Sequence, residues 1–200
     1  MNDTPATSTD VRAEILKPLR ERRSERHFAQ RPLEPHVVAS LVEALRWAPS
    51  SNNRQPWRLI LVQGAEPSAK FVDALSEGNK KWAHLAPLKI VLLGNPEEQP
   101  DRDGQNRWLL DCGLALENLL IQGCAMGLTT HAMQGWNEEK VLAHFNVPKP
   151  FRVAALVGVG YRGRIEDLPE EVAAKDRAPR TRRAPGEIAF TDTFGNAYSG

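Results

Sequence analysis

The chain has 200 residues, enough for one domain with a sizeable core. Apolar residues make up 41% and charged residues 26%, a globular composition that excludes collagen, coiled coils and wholesale disorder. The 26 Lys and Arg nearly cancel the 25 Asp and Glu, so nucleic acid is not an expected partner and any polyanion must be bound locally. Two cysteines exclude a disulfide scaffold and fit a reducing compartment.

The first ten residues, 1–10, are small and polar and contain no cation. They lack the features of a signal peptide, so we predict a flexible tail followed by a single domain over 11–200. No stretch reaches the ~18 uninterrupted apolar residues that a membrane span needs. We therefore expect a cytoplasmic protein that does not enter a membrane.

Hydrophobic periodicity predicts helices and strands in an irregular alternation along the chain. The predicted elements, in order, are helices over 11–19 and 35–48, a strand over 57–62, a helix over 68–76, a strand over 88–93, a helix over 108–126, a strand over 127–131, a helix over 138–145 and a strand over 152–159. This order lacks the regular strand–helix–strand rhythm of a parallel sheet. We therefore predict an α+β fold in which helices flank a central mixed β-sheet.

The helix over 108–126 is apolar nearly all round, because Asp111, Asn118 and Gln122 fall in one narrow sector at about 100° per residue. Burial on every side is expected of such a helix, which in a small chain predicts a layered sandwich or a subunit interface. Cys112 and Cys124 would lie ~18 Å apart along its axis, too far for a disulfide. We expect them to be core thiols.

Two local patterns do not support the chemistry that they suggest. Gly158 to Gly163 matches G-x-G-x-x-G, but Pro169 interrupts the helix that a dinucleotide-binding loop requires, so we interpret a glycine-rich strand end. The five histidines show no metal-ligand spacing, so no metal site is predicted. His131 lies in a predicted strand and is either a catalytic acid or a semi-buried structural residue.

Two arginine-rich clusters stand out against the neutral background. Their members are Arg20, Arg22, Arg23, Arg26 and Arg31 around Ser24, and Arg180, Arg182 and Arg183 near the other end. Each cluster alone is typical of a solvated surface. The planar guanidinium also suits phosphate, so clusters that the fold brings together would enclose one dianionic phosphate, with the Ser24 hydroxyl as a further donor. The loop that contains Ser50, Ser51, Asn53 and Gln55 offers donors and acceptors for the edge of a planar heterocycle.

Three segments resemble the nitroreductase-like family of FMN-dependent oxidoreductases. RRSERHF at 22–28 resembles the family's opening R-R-S-x-R-x-F, and APSSNNRQPW at 48–57 resembles its A-P-S-x-x-N-x-Q-P-W. DCGLALENLL at 111–120, with Gly127 and Leu128 after it, is similar to the family's central dimerisation helix. Order and spacing match from about residue 19 to residue 190.

The resemblance implies a nitroreductase-like fold and an intertwined homodimer with two FMN sites, each built from both subunits. The implied cofactor-binding residues are Arg22, Arg23, Ser24, Arg26, Pro49, Ser50, Ser51, Asn53, Gln55, Gln134, Gly135, Arg182 and Arg183. Arg22, Ser24 and Arg26 would contact the phosphate, ribityl chain and pyrimidine edge, and 49–53 would come from the partner chain. The Gln134 and Gly135 backbone would approach flavin N5. Thr181 replaces a cation of some members, which leaves Arg180 or Arg182 to compensate.

The implied activity is ping-pong hydride transfer, in which NAD(P)H reduces FMN and an electron-poor nitroaromatic or quinone-like acceptor then takes the hydride. No side-chain nucleophile is needed, and a cation such as Arg26 beside N1 and O2 favours hydride acceptance. Trp82, Trp108 and Trp136 either line an aromatic substrate pocket or pack in the core. The alternatives are reduction of an activated C=C or C–halogen bond, and a flavin-binding module without turnover.

Overall fold

The computed structural model describes residues 13–100 and 104–199, so the predicted tail over 1–10 lies outside the described residues. The helices and strands, in chain order, are α1 (Lys17–Glu21), α2 (Pro35–Arg46), β1 (Trp57–Val62), α3 (Ala65–Asp73), α4 (Glu77–Ala83), β2 (Leu88–Gly94), α5 (Arg107–Ala125), β3 (Leu128–Met133), α6 (Glu138–His144), β4 (Arg152–Tyr161), α7 (Glu170–Arg177) and α8 (Pro185–Ile188). Every predicted helix and strand has a counterpart; the bounds of β1 agree with the prediction, and the other elements have shifted ends.

The strands form one sheet in the order β1-β2-β4-β3, and all three neighbouring pairs are antiparallel. The α+β class is confirmed, but the mixed sheet is wrong for the strands that this chain supplies. The central strands β2 and β4 are buried on both faces, and such strands are continuous apolar runs whatever the direction of their neighbours. The runs therefore indicate burial without indicating strand direction.

Helices cover both faces of the sheet. On one face α2 and α5 pack against β2 and β4, with Leu41 and Leu119 fully buried between the layers. On the other face α3, α4, α6 and α7 bury a second cluster around Phe71 and Trp82. Both clusters use the alternating side chains of the same strands, which is how one sheet supports two cores.

The long helix α5 is buried on one side only. Cys112 is buried against the sheet, Cys124 is half-buried, and both are free thiols. Leu110 and Leu114, on the opposite side, are 67% and 41% exposed. The expectation of burial on every side is therefore wrong for the single chain.

The first helix differs most from its predicted range. Among the described residues it covers Lys17–Glu21, whereas the prediction was 11–19, of which 11 and 12 lie outside the described residues. Pro18 lies in its first turn instead of at its end. Proline fits this position because the first helical N–H groups have no partner within the helix.

The glycine-rich end of β4 makes room for the segment that carries the first arginine cluster. A Cβ at Gly160 would lie 2.6 Å from Pro87 Cδ, and one at Gly163 would lie 2.4 Å from the Phe28 carbonyl carbon. The Gly163 N–H donates to the His27 carbonyl over 3.0 Å, and Phe28 is buried beside β4. The interpretation as a glycine-rich strand end is supported by this packing.

Gly160→Ala should lower the free energy of unfolding by about 1–3 kcal/mol, because the added methyl group overpacks the contact with Pro87 and Phe28. Urea denaturation measures the change. Gly78→Ala is the control: it lies in α4 with no atom within 4 Å of the added Cβ, so stability should stay the same or rise slightly. Equal effects of the two substitutions would contradict the packing argument.

Candidate functional site

The two arginine clusters lie side by side. The Arg180 guanidinium donates from Nη1 to the Arg22 carbonyl over 2.6 Å and also donates to the Arg20 carbonyl. In the opposite direction, Arg23 Nη2 donates to the Ala178 carbonyl over 2.8 Å. The fold thus joins segments that are about 155 residues apart in the chain, as the phosphate hypothesis requires.

The joined clusters concentrate positive charge. Arg22 Nη1 donates to Ser24 Oγ over 3.2 Å, while the nearest carboxylate oxygen, on Glu117, lies 4.0 Å from Arg22 Nε. Burial lowers the pKa of Arg180, and the charges of Arg182, Arg23 and Arg22 lower it further. Like charges gathered in this way favour a bound anion.

The Arg180 guanidinium donates to two backbone carbonyls, so part of its donor capacity is used within the chain. Arg182 and Arg183 are exposed. Arg182 donates only to the adjacent Thr181 carbonyl among the described residues, so it remains the candidate to compensate.

A buried carboxylate on α7 anchors the first arginine cluster through hydrogen bonds. Asp176 accepts from the Arg26 N–H over 2.7 Å, from Arg26 Nη1 over 2.6 Å and from His27 Nδ1 over 2.9 Å. Burial opposes the charge, but these hydrogen bonds outweigh it and lower the pKa of Asp176. Asp176 was not among the residues predicted from the sequence, because no local pattern separates it from the surface acids of the same helix.

A cavity of about 1060 Å³ lies between the first half of α5, the sheet and the loop that follows β3. Trp108 and Trp136 line it together with Asn79, so two of the three candidate aromatic residues are placed at the pocket. Trp82 does not line it. It is 2% exposed and packs between Phe28 and His131, with ring centroids 6.2 Å and 4.4 Å away. The pocket role suggested for Trp82 is therefore wrong.

The loop of Gln134 and Gly135 forms one wall of this cavity. The Gly135 carbonyl accepts from the Ser76 N–H over 2.9 Å and from Asn79 Nδ2 over 3.3 Å. A Cβ at residue 135 would lie 2.5 Å from Ser76 Oγ, so only glycine fits without a shift. Neither the Gln134 nor the Gly135 N–H has an acceptor within residues 13–100 and 104–199, which leaves two backbone donors for a ligand.

His131 connects the cavity with the arginine segment. Its Nδ1 lies 3.2 Å from the Glu25 carbonyl, which can only accept, so Nδ1 carries the proton. Burial, together with the charge of Arg26, lowers the pKa of His131 to about 4. The ring is neutral near pH 7, and the geometry supports the structural alternative over the catalytic acid.

The loop of 49–55 does not line the cavity of its own chain. Gln55 donates from its N–H to Ser50 Oγ and from Nε2 to Asn53 Oδ1, each over 3.0 Å. Asn52, Asn53 and Gln55 all have φ between 51° and 54°, a left-handed conformation that costs energy outside glycine. Such strain clusters at functional sites and supports a binding role for this exposed loop.

A family description matches most of the chain. A model of the nitroreductase family matches residues 19–81 and 64–161. The chain belongs to the nitroreductase family. The motifs at 22–28 and 48–57 and the long helix α5 all lie within the matched ranges, so the resemblance drawn from the sequence is confirmed.

Individual proteins agree with this assignment. An uncharacterized 15.4 kDa protein of Mycolicibacterium smegmatis is 34% identical over 66% of this nitroreductase and 86% of its own length. A protein of Archaeoglobus fulgidus, provisionally named an NADH dehydrogenase/NAD(P)H nitroreductase, is 28% identical over 74% of this chain and 85% of its own. The crystal structure of an oxidoreductase containing FMN is 25% identical, with a TM-score of 0.83 over 97% of this chain and 98% of that chain.

Family membership makes this nitroreductase an oxidoreductase. Within 13–100 and 104–199, no helix is long and apolar enough to cross a membrane. The same ranges contain no group of three or more His, Cys, Asp or Glu side chains placed to hold a metal ion.

His131→Asn should make the stability of the nitroreductase less sensitive to acid. Below the ordinary pKa of about 6.5 the unfolded chain binds a proton that folded His131 rejects until about pH 4, so stability is lost as pH falls through this window. In the native chain, His131 therefore lowers the free energy of unfolding by about 2 kcal/mol between pH 7 and pH 5. Urea denaturation at both pH values measures it, and parallel losses in the two proteins would contradict a neutral buried His131.

Proposed function

We propose that this chain is an FMN-dependent oxidoreductase that uses NAD(P)H to reduce an electron-poor acceptor. One observation carries the proposal: arginines from both ends of the chain lie side by side, and His131 connects their segment with a cavity whose wall offers two unused backbone N–H donors. These features match the two chemically different ends of FMN, a phosphate dianion and a planar heterocycle.

Arg22 and Ser24 are the proposed phosphate and ribityl contacts from the first cluster. Their side chains already contact each other, and the Arg22 backbone is fixed by Arg180. Arg182 and Arg183 supply the further cations from the other end of the chain. The planar guanidinium and a hydroxyl donor together satisfy the several acceptor oxygens of a phosphate.

The ring would lie along the Gln134–Gly135 loop, with a backbone N–H donating at flavin N5. Arg26 would face the pyrimidine edge, where its charge stabilises the negative charge that reduction places near N1 and O2. When bound, FMN would supply the hydride chemistry, taking a hydride from NAD(P)H and passing it to the acceptor in a ping-pong cycle. The protein itself binds the ring, orients each reactant over one face and excludes water.

The second subunit would complete each site. Leu110 and Leu114 form an exposed apolar face of α5 that a second copy of the chain would bury. The helix would then be buried on every side, as its apolar sequence predicts. Pro49, Ser50, Ser51, Asn53 and Gln55 lie away from the cavity of their own chain. In an intertwined homodimer they would reach the cofactor of the partner.

Trp108 and Trp136 would form the walls of the acceptor site, and their flat faces favour planar, electron-poor compounds such as nitroaromatics or quinones. Among the described residues that line this cavity, Arg152 is the only arginine or lysine. Its Nη2 lies 2.8 Å from Glu138 Oε2, so its charge is paired. A neutral acceptor is therefore favoured over a strongly charged one.

Arg22→Ala and Ser24→Ala should each weaken FMN binding about tenfold or more, because each removes a charged or hydroxyl donor from the phosphate. Native protein should be yellow, and anaerobic NADPH or NADH should bleach it. Fluorescence titration with FMN measures the affinity.

Arg46→Ala is the matched control, since Arg46 lies on the surface of α2 in an ion pair with Glu43. It should leave FMN affinity unchanged. Native protein that ignores FMN would refute the proposal, and bound flavin that NAD(P)H leaves oxidised would favour the module without turnover. Product analysis with a nitroaromatic, a quinone, an enone and a haloaromatic then decides the acceptor class.

Leu114→Asp should dissociate the dimer while leaving the subunit folded, because residue 114 is exposed in the single chain and would be buried only by a partner. Sedimentation velocity gives the oligomeric state and circular dichroism the folding. Ala143→Asp, on α6 at the other face of the sheet, is the control and should remain dimeric. A Leu114→Asp protein that stays dimeric would contradict the proposed interface.

A further inference from the structure

We propose that Asp176 is a positioning residue that aims the Arg26 guanidinium at the reducing end of the cofactor site. The inference rests on the proposed function, since it gives a role to a residue that contacts no cofactor itself. It assigns a task to α7, a helix outside the three segments that resemble the nitroreductase family.

The contacts of Asp176 define the path of Arg26. Oδ2 accepts from the Arg26 backbone N–H over 2.7 Å and Oδ1 accepts from its Nη1 over 2.6 Å. One carboxylate therefore fixes both ends of the same residue. The Asp176 side chain is 1% exposed and that of Arg26 is 23% exposed, so the pair is anchored in the core and opens toward solvent at the guanidinium.

The anchor is held from several sides. Val172 and Ala173, one turn before Asp176, are buried in the second core cluster. His27 donates to Asp176 Oδ2 over 2.9 Å, and Arg23 donates to the Asp176 carbonyl over 3.3 Å. These contacts fix the position of the Asp176 carboxylate. The carboxylate therefore sets the position of the Arg26 guanidinium that it binds.

The surroundings of Arg26 indicate where it is aimed. Its Cζ lies 5.9 Å from the centroid of the Trp82 ring, and Trp82 packs at a tilt against His131, which lines the cavity. Trp82 and His131 thus separate Arg26 from the cavity, and the charge of Arg26 is felt at this wall, where it helps burial to lower the pKa of His131. Without Asp176 the flexible side chain would lose two charge-assisted hydrogen bonds and sample solvent, which weakens its field at a fixed point in the site.

The Asp176 carboxylate also neutralises part of the Arg26 charge. This effect alone would weaken the stabilisation of reduced flavin. We expect the loss of orientation to outweigh this effect, because the Asp176 side chain is 1% exposed and that of Arg26 is 23% exposed, so the guanidinium is the member of the pair that a ligand can reach. The predicted net result of losing Asp176 is therefore weaker stabilisation of reduced flavin relative to oxidised flavin.

The experiment compares native holoenzyme with Asp176→Asn, Arg26→Gln and the double variant, by titration with oxidised FMN and with chemically reduced FMN. Asp176→Asn should weaken reduced FMN about tenfold more than oxidised FMN, equivalent to about 30 mV in the two-electron potential. Arg26→Gln should do the same. In the Arg26→Gln background, Asp176→Asn should change the ratio no further, because the carboxylate acts through Arg26.

Glu171→Gln, which removes the surface pair between α7 and Lys81, is the control and should leave the ratio unchanged. An unchanged ratio in Asp176→Asn, even with lower stability, would show a structural role only and overturn the proposal. Equal effects in both backgrounds, or tighter binding of reduced FMN, would also overturn it. Failure of the native protein to bind FMN is a different result and refutes the proposed function instead.

Discussion

The contact between residues 20–28 and residues 176–180 determines how the rest of the molecule is arranged. Asp176 receives three donors from Arg26 and His27, while Arg180 and Arg23 exchange hydrogen bonds with carbonyls of the opposite segment. A buried carboxylate left without these donors would be strongly destabilising, so the two segments can only be folded together. The arginines that would bind an anion are in this way placed by interactions that do not themselves use the anion.

The sheet provides the frame on which this contact rests. Glycines at the end of β4 admit Phe28 and the backbone of its neighbours, which places the first arginine cluster at the edge of the second core. The same strand, with β3, carries the chain to the loop of Gln134 and Gly135. The proposed phosphate-binding cluster and the donor-bearing loop are thus held at fixed positions by one pair of strands, with His131 and Trp82 packed between them.

Much of the fold could be predicted because it depends on local patterns. Burial can be predicted from the pattern of apolar residues along the chain. This pattern predicted the strands β2 and β4 and the long helix α5. Strand direction and the position of α1 could not be predicted in the same way, since the first depends on distant partners and the second is a five-residue helix with few internal hydrogen bonds.

For the candidate site, the arginines, Ser24 and the Gln134–Gly135 loop were predicted from their residue types and their resemblance to a family, and these roles stay predictions. Asp176 was not predicted, because Glu170 and Glu171 in the same helix form ordinary surface pairs and its own partners lie about 150 residues away. For Trp82 the sequence left the pocket and the core open as alternatives for a related reason. An aromatic residue in a core and one in a pocket look alike until the neighbours that cover it are known.

The loop after β3 has a consequence for how this protein can diverge. Its carbonyl at Gly135 is tied to α4 and its donors are main-chain N–H groups, while the exposed side chain of Gln134 takes no part in either. Mutation at 134 therefore leaves the hydrogen-bonding frame intact. Position 134 can therefore change its side chain, and with it the chemistry of the cavity wall, while the main-chain donors that we propose for the cofactor stay in place.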